Sequence, residues 1–296
     1  MRGASRMINK LKGALFGFAI GDALGGTTEF LTKEEINQKY GKLEKIIGGG
    51  VWDLEKGETT DDTAMTLAVA KGIIENPNNP LPAIGENFLV WYRSNPKDIG
   101  IIIRTVLELY KEDWYETAKR AHEDYLDGLS AGNGSLMRCL PVALAYPCLE
   151  RMEKVTRQQS AMTHYDKVAA EACLIYNRIA FKILHGIDLK VSIAEEVKGT
   201  IYESSLYGKK PICLPDGYVV HTMQWVLYWL LTSETFLDVV IGAANEGEDS
   251  DTIAAIAGGL AGLSCGYERL PKEYCEVLLV KEELEAVADG LMQVNR

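Results

Sequence analysis

Apolar residues recur at helical spacing along most of the chain. Leu11, Leu15, Phe18 and Ala19 fall on one helical face, and Met65, Ala68 and Val69 on another, directly after the Asp61-Asp62 pair. The same period predicts helices over roughly 84–92, 99–110, 115–125, 136–145, 167–184, 193–204, 222–231, 236–244, 252–263 and 282–292. Strict alternation of apolar and polar positions, the mark of a half-buried strand, is nearly absent. Breakers fall between the periodic stretches: Gly48-Gly49-Gly50, Asn76-Pro77-Asn78-Asn79-Pro80, Gly132-Asn133-Gly134 and the segment 208–217. No flexible linker, repeat or low-complexity segment divides the chain. The pattern therefore predicts an all-α fold, a single compact helical domain over residues 1–296. Met7 is a candidate start, which would make residues 1–6 an extension.

Two of the predicted helices are unusually rich in small residues. One carries Gly13-Ala14, Gly17, Ala19, Gly21, Ala23 and Gly25-Gly26; the other carries Ala254-Ala255, Ala257-Gly258-Gly259 and Ala261-Gly262. Glycine inside a helix costs about 1 kcal/mol relative to alanine, so its repetition points to close backbone approach. Such an approach is expected to bring helix N-termini together.

Charge narrows the function classes. Lys plus Arg number 31 and Asp plus Glu 42, a net charge of −11, which argues against a general nucleic-acid binder. The most apolar run after the N-terminal one, 219–231, contains His221 and Gln224 and is too short to span a membrane. Basic residues before the apolar stretch 14–24 give it the outline of a signal peptide. Asp22 interrupts that stretch and no small-residue cleavage site follows. The six cysteines form no C-x-x-C pair, which suits reduced thiols and a cytoplasmic location.

The chemistry concentrates at two helix starts. Thr60-Asp61-Asp62-Thr63 precedes one apolar pattern, and Glu246-Gly247-Glu248-Asp249-Ser250-Asp251-Thr252 precedes another. Capping a helix needs one side-chain oxygen, and each cluster offers several. Were the two starts to meet, Asp61, Asp62, Asp249 and Asp251 would repel one another unless a cation joined them. An all-oxygen set selects a hard cation rather than zinc, and the spacing is not that of an EF-hand. Glu29 follows the first small-residue helix, where a solvated surface position is the plain alternative. Asp98 precedes Ile99-Gly100, where an N-cap is the plain role. Gly132-Asn133-Gly134-Ser135 reads as a tight turn or a backbone cradle for a phosphate. Arg138 would pair with that phosphate or with a buried carboxylate. His164 lies in Thr163-His164-Tyr165-Asp166 at a helix start, and a lone histidine is usually structural. Gly262-Leu263-Ser264-Cys265-Gly266 has the spacing of a nucleophile elbow but follows a helical pattern rather than a strand.

In this order and spacing the motifs resemble those of the ADP-ribosylglycohydrolases. The resemblance runs from about Gly13 to Leu279. It is carried by Gly21-Asp22-Ala23-Leu24-Gly25 with Glu29-Phe30, and by Gly48-Gly49-Gly50 through Thr60-Asp61-Asp62-Thr63. Asp98-Ile99-Gly100, the run 132–138, Thr163-His164, and Asn245-x-Gly247-x-Asp249-x-Asp251-Thr252 complete it. The resemblance implies an all-α fold with a binuclear centre of two divalent cations, Mg²⁺ or Mn²⁺. By position, Thr60, Asp61, Asp62, Asp249, Asp251 and Thr252 look like the metal ligands. Asn133, Gly134 and Ser135 match the family's ADP-ribose loop, His164 its ribose-side histidine, and Asp98 a residue close to the substrate. Glu29 and Asp62 are the candidates for the catalytic base, which the sequence leaves unranked. Two positions depart from the pattern: Glu248, where relatives often have Gly or Asp, and Thr59, where close relatives often carry Trp.

The activity so implied is metal-dependent hydrolysis of an ADP-ribosylated protein or ADP-ribose conjugate. The runs 48–52, 98–100 and 132–135 look most like the arginine-directed bacterial branch, which points to N-linked ADP-ribosylarginine. Serine-linked or small-molecule-linked ADP-ribose, a two-metal phosphohydrolase and a non-catalytic ADP-ribose binder are the alternatives.

Overall fold

Small residues decide the central packing. Helix α1 (Arg2–Gly25) runs antiparallel to a later helix, Ser250–Cys265, with their backbones in direct contact. A Cβ on Gly13 would stand 2.3 Å from the carbonyl oxygen of Gly262; on Gly17, 2.4 Å from that of Gly258; on Gly21, 2.1 Å from that of Ala254. At Gly25 it would meet Asp251 Cα at 2.4 Å. The four positions step by one helical turn each, so the contact is a continuous stripe. Antiparallel packing puts the C-terminal end of α1, not a second N-terminus, against the start of the later helix. This corrects the expectation that the small-residue helices would bring two N-termini together.

The computed structural model describes residues 2–295; of the domain expected over 1–296, and of the extension at 1–6, Met1 lies outside the described residues, as does Arg296. After α1 come α2 (Lys33–Tyr40), α3 (Asp61–Glu75), α4 (Leu81–Arg93), α5 (Ile101–Leu109) and α6 (Trp114–Arg120). α6 continues into a π turn, Ala121–Tyr125, and a 3-10 turn, Asn133–Ser135, leads to α7 (Leu140–Ala145). Then follow α8 (Leu149–Ala161), α9 (Lys167–Leu184), α10 (Leu189–Val197), α11 (Val219–Thr232), α12 (Phe236–Ala244), α13 (Ser250–Cys265), α14 (Lys272–Val277) and α15 (Lys281–Val294). Among the described residues there is no strand, only the isolated bridges Gly49–Leu54 and Gly132–Tyr218. The fold is all-α. α13 is buried from Ser250 to Leu263 and forms the axis of one large core, with α1, α9, α11 and α12 around it. No helix of the described residues is long and apolar enough to cross a membrane.

Three helices escape the apolar period for physical reasons. α2 buries only Ile36 and stands on a capping box between Thr32 and Glu35. α8 turns Thr156, Gln159 and Ser160 inward with Met152 and Val155, so its buried face is half polar. α14 is a turn and a half with Tyr274 and Cys275 inside. The helix expected over 193–204 instead spans Leu189–Val197, and Gly199 at φ 78° stops it.

Candidate functional site

The end of α1 organises the start of α3. Asp22, inside α1, accepts the backbone N–H of Thr60 (2.9 Å) on Oδ1, and on Oδ2 the N–H (2.9 Å) and hydroxyl (2.5 Å) of Thr63. A carboxylate from another helix thus caps α3, and Asp61 and Asp62 are released from that duty. The signal for Asp22 was a lone carboxylate in an apolar helix.

The starts of α3 and α13 cross-link reciprocally. Thr60 Oγ1 accepts the N–H of Asp62 (3.3 Å) and donates to Asp251 Oδ2 (3.1 Å). The Thr252 hydroxyl lies 3.1 Å from Asp62 Oδ2 and 2.9 Å from Asp249 Oδ1, so its single proton serves one of them. Asp61, Asp62, Asp249 and Asp251 are thereby gathered at one junction. Asp249 stands at the N-cap position of α13, yet its carboxylate makes no capping bond.

Above this junction opens a cleft of about 630 Å³. Glu29, Asp61, Asp98, Asp249, Asp251 and Thr252 line it, with Glu248 and Asp216 nearer the mouth. Among the described residues no lysine or arginine lines it. Asp62 and Thr60 lie behind the lining, so of the two candidate bases only Glu29 faces the cleft. Trp52 Nε1 donates to Glu29 Oε2 at 2.5 Å, an anchor not anticipated from the sequence. Asp98 makes no helix cap. The N-cap position of α5 is Gly100, without a side-chain cap, and Asp98 instead lines the cleft with Asp61, whose Oδ2 accepts the Gly100 N–H at 3.4 Å. Glu248 has φ 53°, a left-handed backbone conformation that residues with a side chain seldom adopt.

Burial above all raises the pKa values of Asp22, Glu29, Asp61, Asp62, Asp98, Asp249 and Asp251. Burial, then Asp251 and Asp98, pushes Glu29 to about 11 despite the Trp52 bond. Burial, then Asp61, pushes Asp98 to about 10; Asp61 rises to about 6, again chiefly by burial. Burial, then Asp251, puts Asp62 well above the carboxylate range, and burial, then Asp249, does the same for Asp251.

The arrangement fits a hard cation. Asp62 Oδ1 and Asp251 Oδ1 are buried without a hydrogen-bond partner, a costly state that a cation would relieve. Two sets of carboxylate oxygens lie within 4.8 Å of one another, Asp22–Asp62–Asp251 and Glu29–Asp98–Asp251, and Asp251 belongs to both. Asp22 has both oxygens engaged as the α3 cap, so Asp62 and Asp251 are the better ligands of the first set.

The loop beside the cleft divides in two. Asn133 and Gly134 line it, but the Asn133 amide donates to Asp249 Oδ2 (2.5 Å) and Thr222 Oγ1 (2.9 Å), holding the carboxylate in place. Ser135 does not face the cleft. Its hydroxyl is fully buried, receives a bond from Ser160 (2.8 Å) and lies 3.5 Å from Cys173 Sγ, which corrects its expected place on the substrate surface. His164 lines the cleft against the two glycines. Arg138 meets neither a carboxylate nor the cleft. It is fully buried, bonds Gln159 and Thr163, and lies over the Phe88 ring at 4.5 Å.

Comparison with known proteins agrees with this geometry. A family model described as ADP-ribosylglycohydrolase matches residues 4–296. An ADP-ribosyl-dinitrogen reductase glycohydrolase of Rhodospirillum rubrum is 35% identical over 92% of this chain and 91% of its own. An ADP-ribosylarginine hydrolase, Tri1, of Serratia proteamaculans is 28% identical over 97% of this chain and 80% of its own. A solved structure titled ADP-ribosylglycohydrolase-related protein complex superposes with a TM-score of 0.84 at 28% identity, covering 99% of this chain and 100% of that one.

Proposed function

The chain belongs to the ADP-ribosylglycohydrolase family of hydrolytic enzymes, and from that premise we propose that it releases ADP-ribose from N-linked ADP-ribosylarginine on a protein. The observation that carries the reading is the pair of orphaned oxygens, Asp62 Oδ1 and Asp251 Oδ1, buried where two helix starts meet beneath an acidic cleft. Asp61, Asp62, Asp249 and Asp251, with Thr60 and Thr252, would hold two divalent cations, Mg²⁺ or Mn²⁺. Bound there, the cations supply positive charge that relieves the carboxylate repulsion and makes a nearby oxygen acid stronger.

The chain's own groups then divide the work. Glu29 is the base: Trp52 fixes one of its oxygens and leaves the other to take a proton from an attacking water. The C1–N bond of the distal ribose breaks as a C1–O bond to that water forms; the bonding pair leaves with a neutral guanidine, which then takes up the proton that Glu29 removed from the water. The carboxylates that line the cleft face the positive charge that develops at C1. The Gly134 N–H and the uncapped start of α5 offer backbone donors suited to the pyrophosphate, the Asn133 N–H being held by the Gly217 carbonyl at 3.0 Å, and His164 contacts the ribose side. Asp98, Glu248 and Asp216 favour a cationic arginine acceptor over a neutral one. The relative named for ADP-ribosylarginine supports this acceptor, and the one named for dinitrogen reductase supports a protein substrate. A cytoplasmic setting goes with this reading, supported by six unpaired cysteines.

The test incubates the protein with arginine-linked and serine-linked ADP-ribosyl peptides in Mg²⁺, Mn²⁺ or EDTA and measures free ADP-ribose. Metal-dependent release from the arginine peptide alone is expected. Release from serine alone overturns the acceptor, AMP in place of ADP-ribose makes the protein a phosphohydrolase, and tight ADP-ribose binding without turnover makes it a binder.

A further inference from the structure

Arg138 is a buried cation with no carboxylate partner, a costly placement that the hydrolytic reaction does not use. Its Nε donates to Gln159 Oε1 at 3.0 Å, and its Nη2 donates to the Gln159 carbonyl and to Thr163 Oγ1, both at 2.8 Å. The same Thr163 oxygen lies 2.7 Å from His164 Nδ1. Among the described residues it has no other side-chain or carbonyl partner.

Proton counting fixes the direction of this chain. Arginine can only donate, so Thr163 Oγ1 accepts from Arg138. The threonine hydroxyl then has one proton to place and one acceptor within reach, His164 Nδ1. Were Nδ1 protonated instead, the buried Thr163 hydroxyl would have no acceptor. Burial, then the charge of Arg138, also holds His164 well below the ordinary histidine pKa, so the ring is neutral and carries a single proton. That proton belongs to Nε2. The Nε2 edge lies against the turn where a Cβ on Gly132 would stand 3.4 Å and one on Gly134 3.3 Å away, and the bare glycines leave it open to the cleft.

We infer that Arg138 and Thr163 are positioning residues that lock His164 in the Nε2–H form, so that the cleft meets it with a donor only and binds through an acceptor oxygen of the ADP-ribosyl group. The identity of that ligand rests on the function proposed above; the tautomer does not. Glycine at 132 and 134 is then needed for access as well as for the turn.

The tautomer is read by ¹⁵N NMR of histidine-labelled protein, with His164→Gln to assign the resonance. The expected spectrum has an unprotonated Nδ1 and a protonated Nε2. Thr163→Val should admit the Nδ1–H form and weaken ADP-ribose binding about tenfold while leaving Mg²⁺ affinity unchanged, and Thr163→Ser should restore both tautomer and binding. An Nδ1–H form in the unaltered protein, or a pure Nε2–H form surviving in Thr163→Val, overturns the relay. If the valine variant does not fold, the spectrum of the unaltered protein decides alone. The expected tautomer in a protein that binds no ADP-ribose upholds the relay and overturns the ligand.

Discussion

Four helix starts in this molecule use the same residue types to opposite ends. At α2 and α12 a threonine and an acid three residues on close reciprocal capping boxes, Thr32 with Glu35 and Thr235 with Asp238. There the hydrogen bonds from the threonine draw the acid's pKa down, on the surface and without repulsion from other carboxylates. At α3 and α13 the threonines Thr60 and Thr252 reach across to the other helix, Asp22 caps α3 from outside, and the acids are buried with raised pKa values. A cap and a metal site differ here in where the threonine hydroxyl points and in who else satisfies the helix. The first kind of start stabilises its own helix; the second holds charge ready at a cost to the fold.

The sharpest way to break the contrast is to neutralise the shared carboxylate. Asp251→Asn should lower kcat more than about 100-fold, beyond the upper end for loss of a metal's outer partner. The same change should raise the melting temperature of the metal-free protein, because it removes a buried carboxyl group that the metal-free fold must hold protonated. A fall in both activity and metal-free stability would make Asp251 a structural residue.

Next in size is the pH dependence of the metal-free protein. Glu29, Asp98 and Asp61 have folded pKa values of about 11, about 10 and about 6, all above their unfolded values near 4. The folded state then binds more protons, so stability is fully present at acid pH and is lost as pH rises. The slope approaches about 1.4 kcal/mol per pH unit for each group between its unfolded and folded values. For Asp61 that window closes near pH 6; for Glu29 and Asp98 it extends to pH 10–11. Melting curves from pH 5 to pH 9 in EDTA should shift downward, and saturating Mg²⁺ should flatten the trend. A flat profile in EDTA would remove the case for a strained acidic ring. The capping boxes run the other way, since Glu35 and Asp238 lose their contribution only as pH falls through their lowered values.

A smaller effect is expected at the cross-links. Thr252→Val keeps the shape and removes the proton that serves Asp62 or Asp249. Titration calorimetry should show Mg²⁺ affinity weaker by about 10- to 100-fold, and Thr252→Ser should recover it. Unchanged affinity in the valine variant would mean that the hydroxyl merely fills space.

These contrasts show which features the sequence made legible. The small-residue stripes announced that α1 and α13 touch, because glycine in a helix has few other reasons to recur. Their polarity was not readable, since a stripe looks the same in either direction. The oxygen-rich starts of α3 and α13 stood out because four such side chains exceed what capping needs. Asp22 was visible as an interruption and as part of a motif but without a role, because its role depends on α3 docking against the end of α1. Ser135 and Arg138 look like ligand-facing residues in a glycine-rich motif. Their inward orientation follows from the polar face of α8, where Gln159 and Ser160 receive them. That face is also what hid α8 from the apolar period. Thr32 and Thr60 illustrate the limit most plainly: both cap acidic helix starts, and only the fold shows that the Thr60 hydroxyl also reaches Asp251 on another helix.

The mildest perturbation tests the ordinary side of the comparison. Thr235→Ala removes a hydroxyl that accepts from the Asp238 N–H at 3.2 Å and donates to the Asp238 carboxylate at 2.6 Å. It should lower stability by about 1 kcal/mol, the usual worth of an N-cap threonine. Activity and Mg²⁺ affinity should not change, because α12 meets the cleft only through the loop that follows it. Asp238 should titrate closer to its ordinary value once the hydrogen bonds from Thr235 are gone. The loss should be no smaller in the presence of Mg²⁺, whereas the deficit caused by Thr252→Val should depend on the cation. A capping box whose removal altered cation affinity would mean that α12 and the start of α13 move as one body, and the separation drawn between the two kinds of helix start would no longer hold.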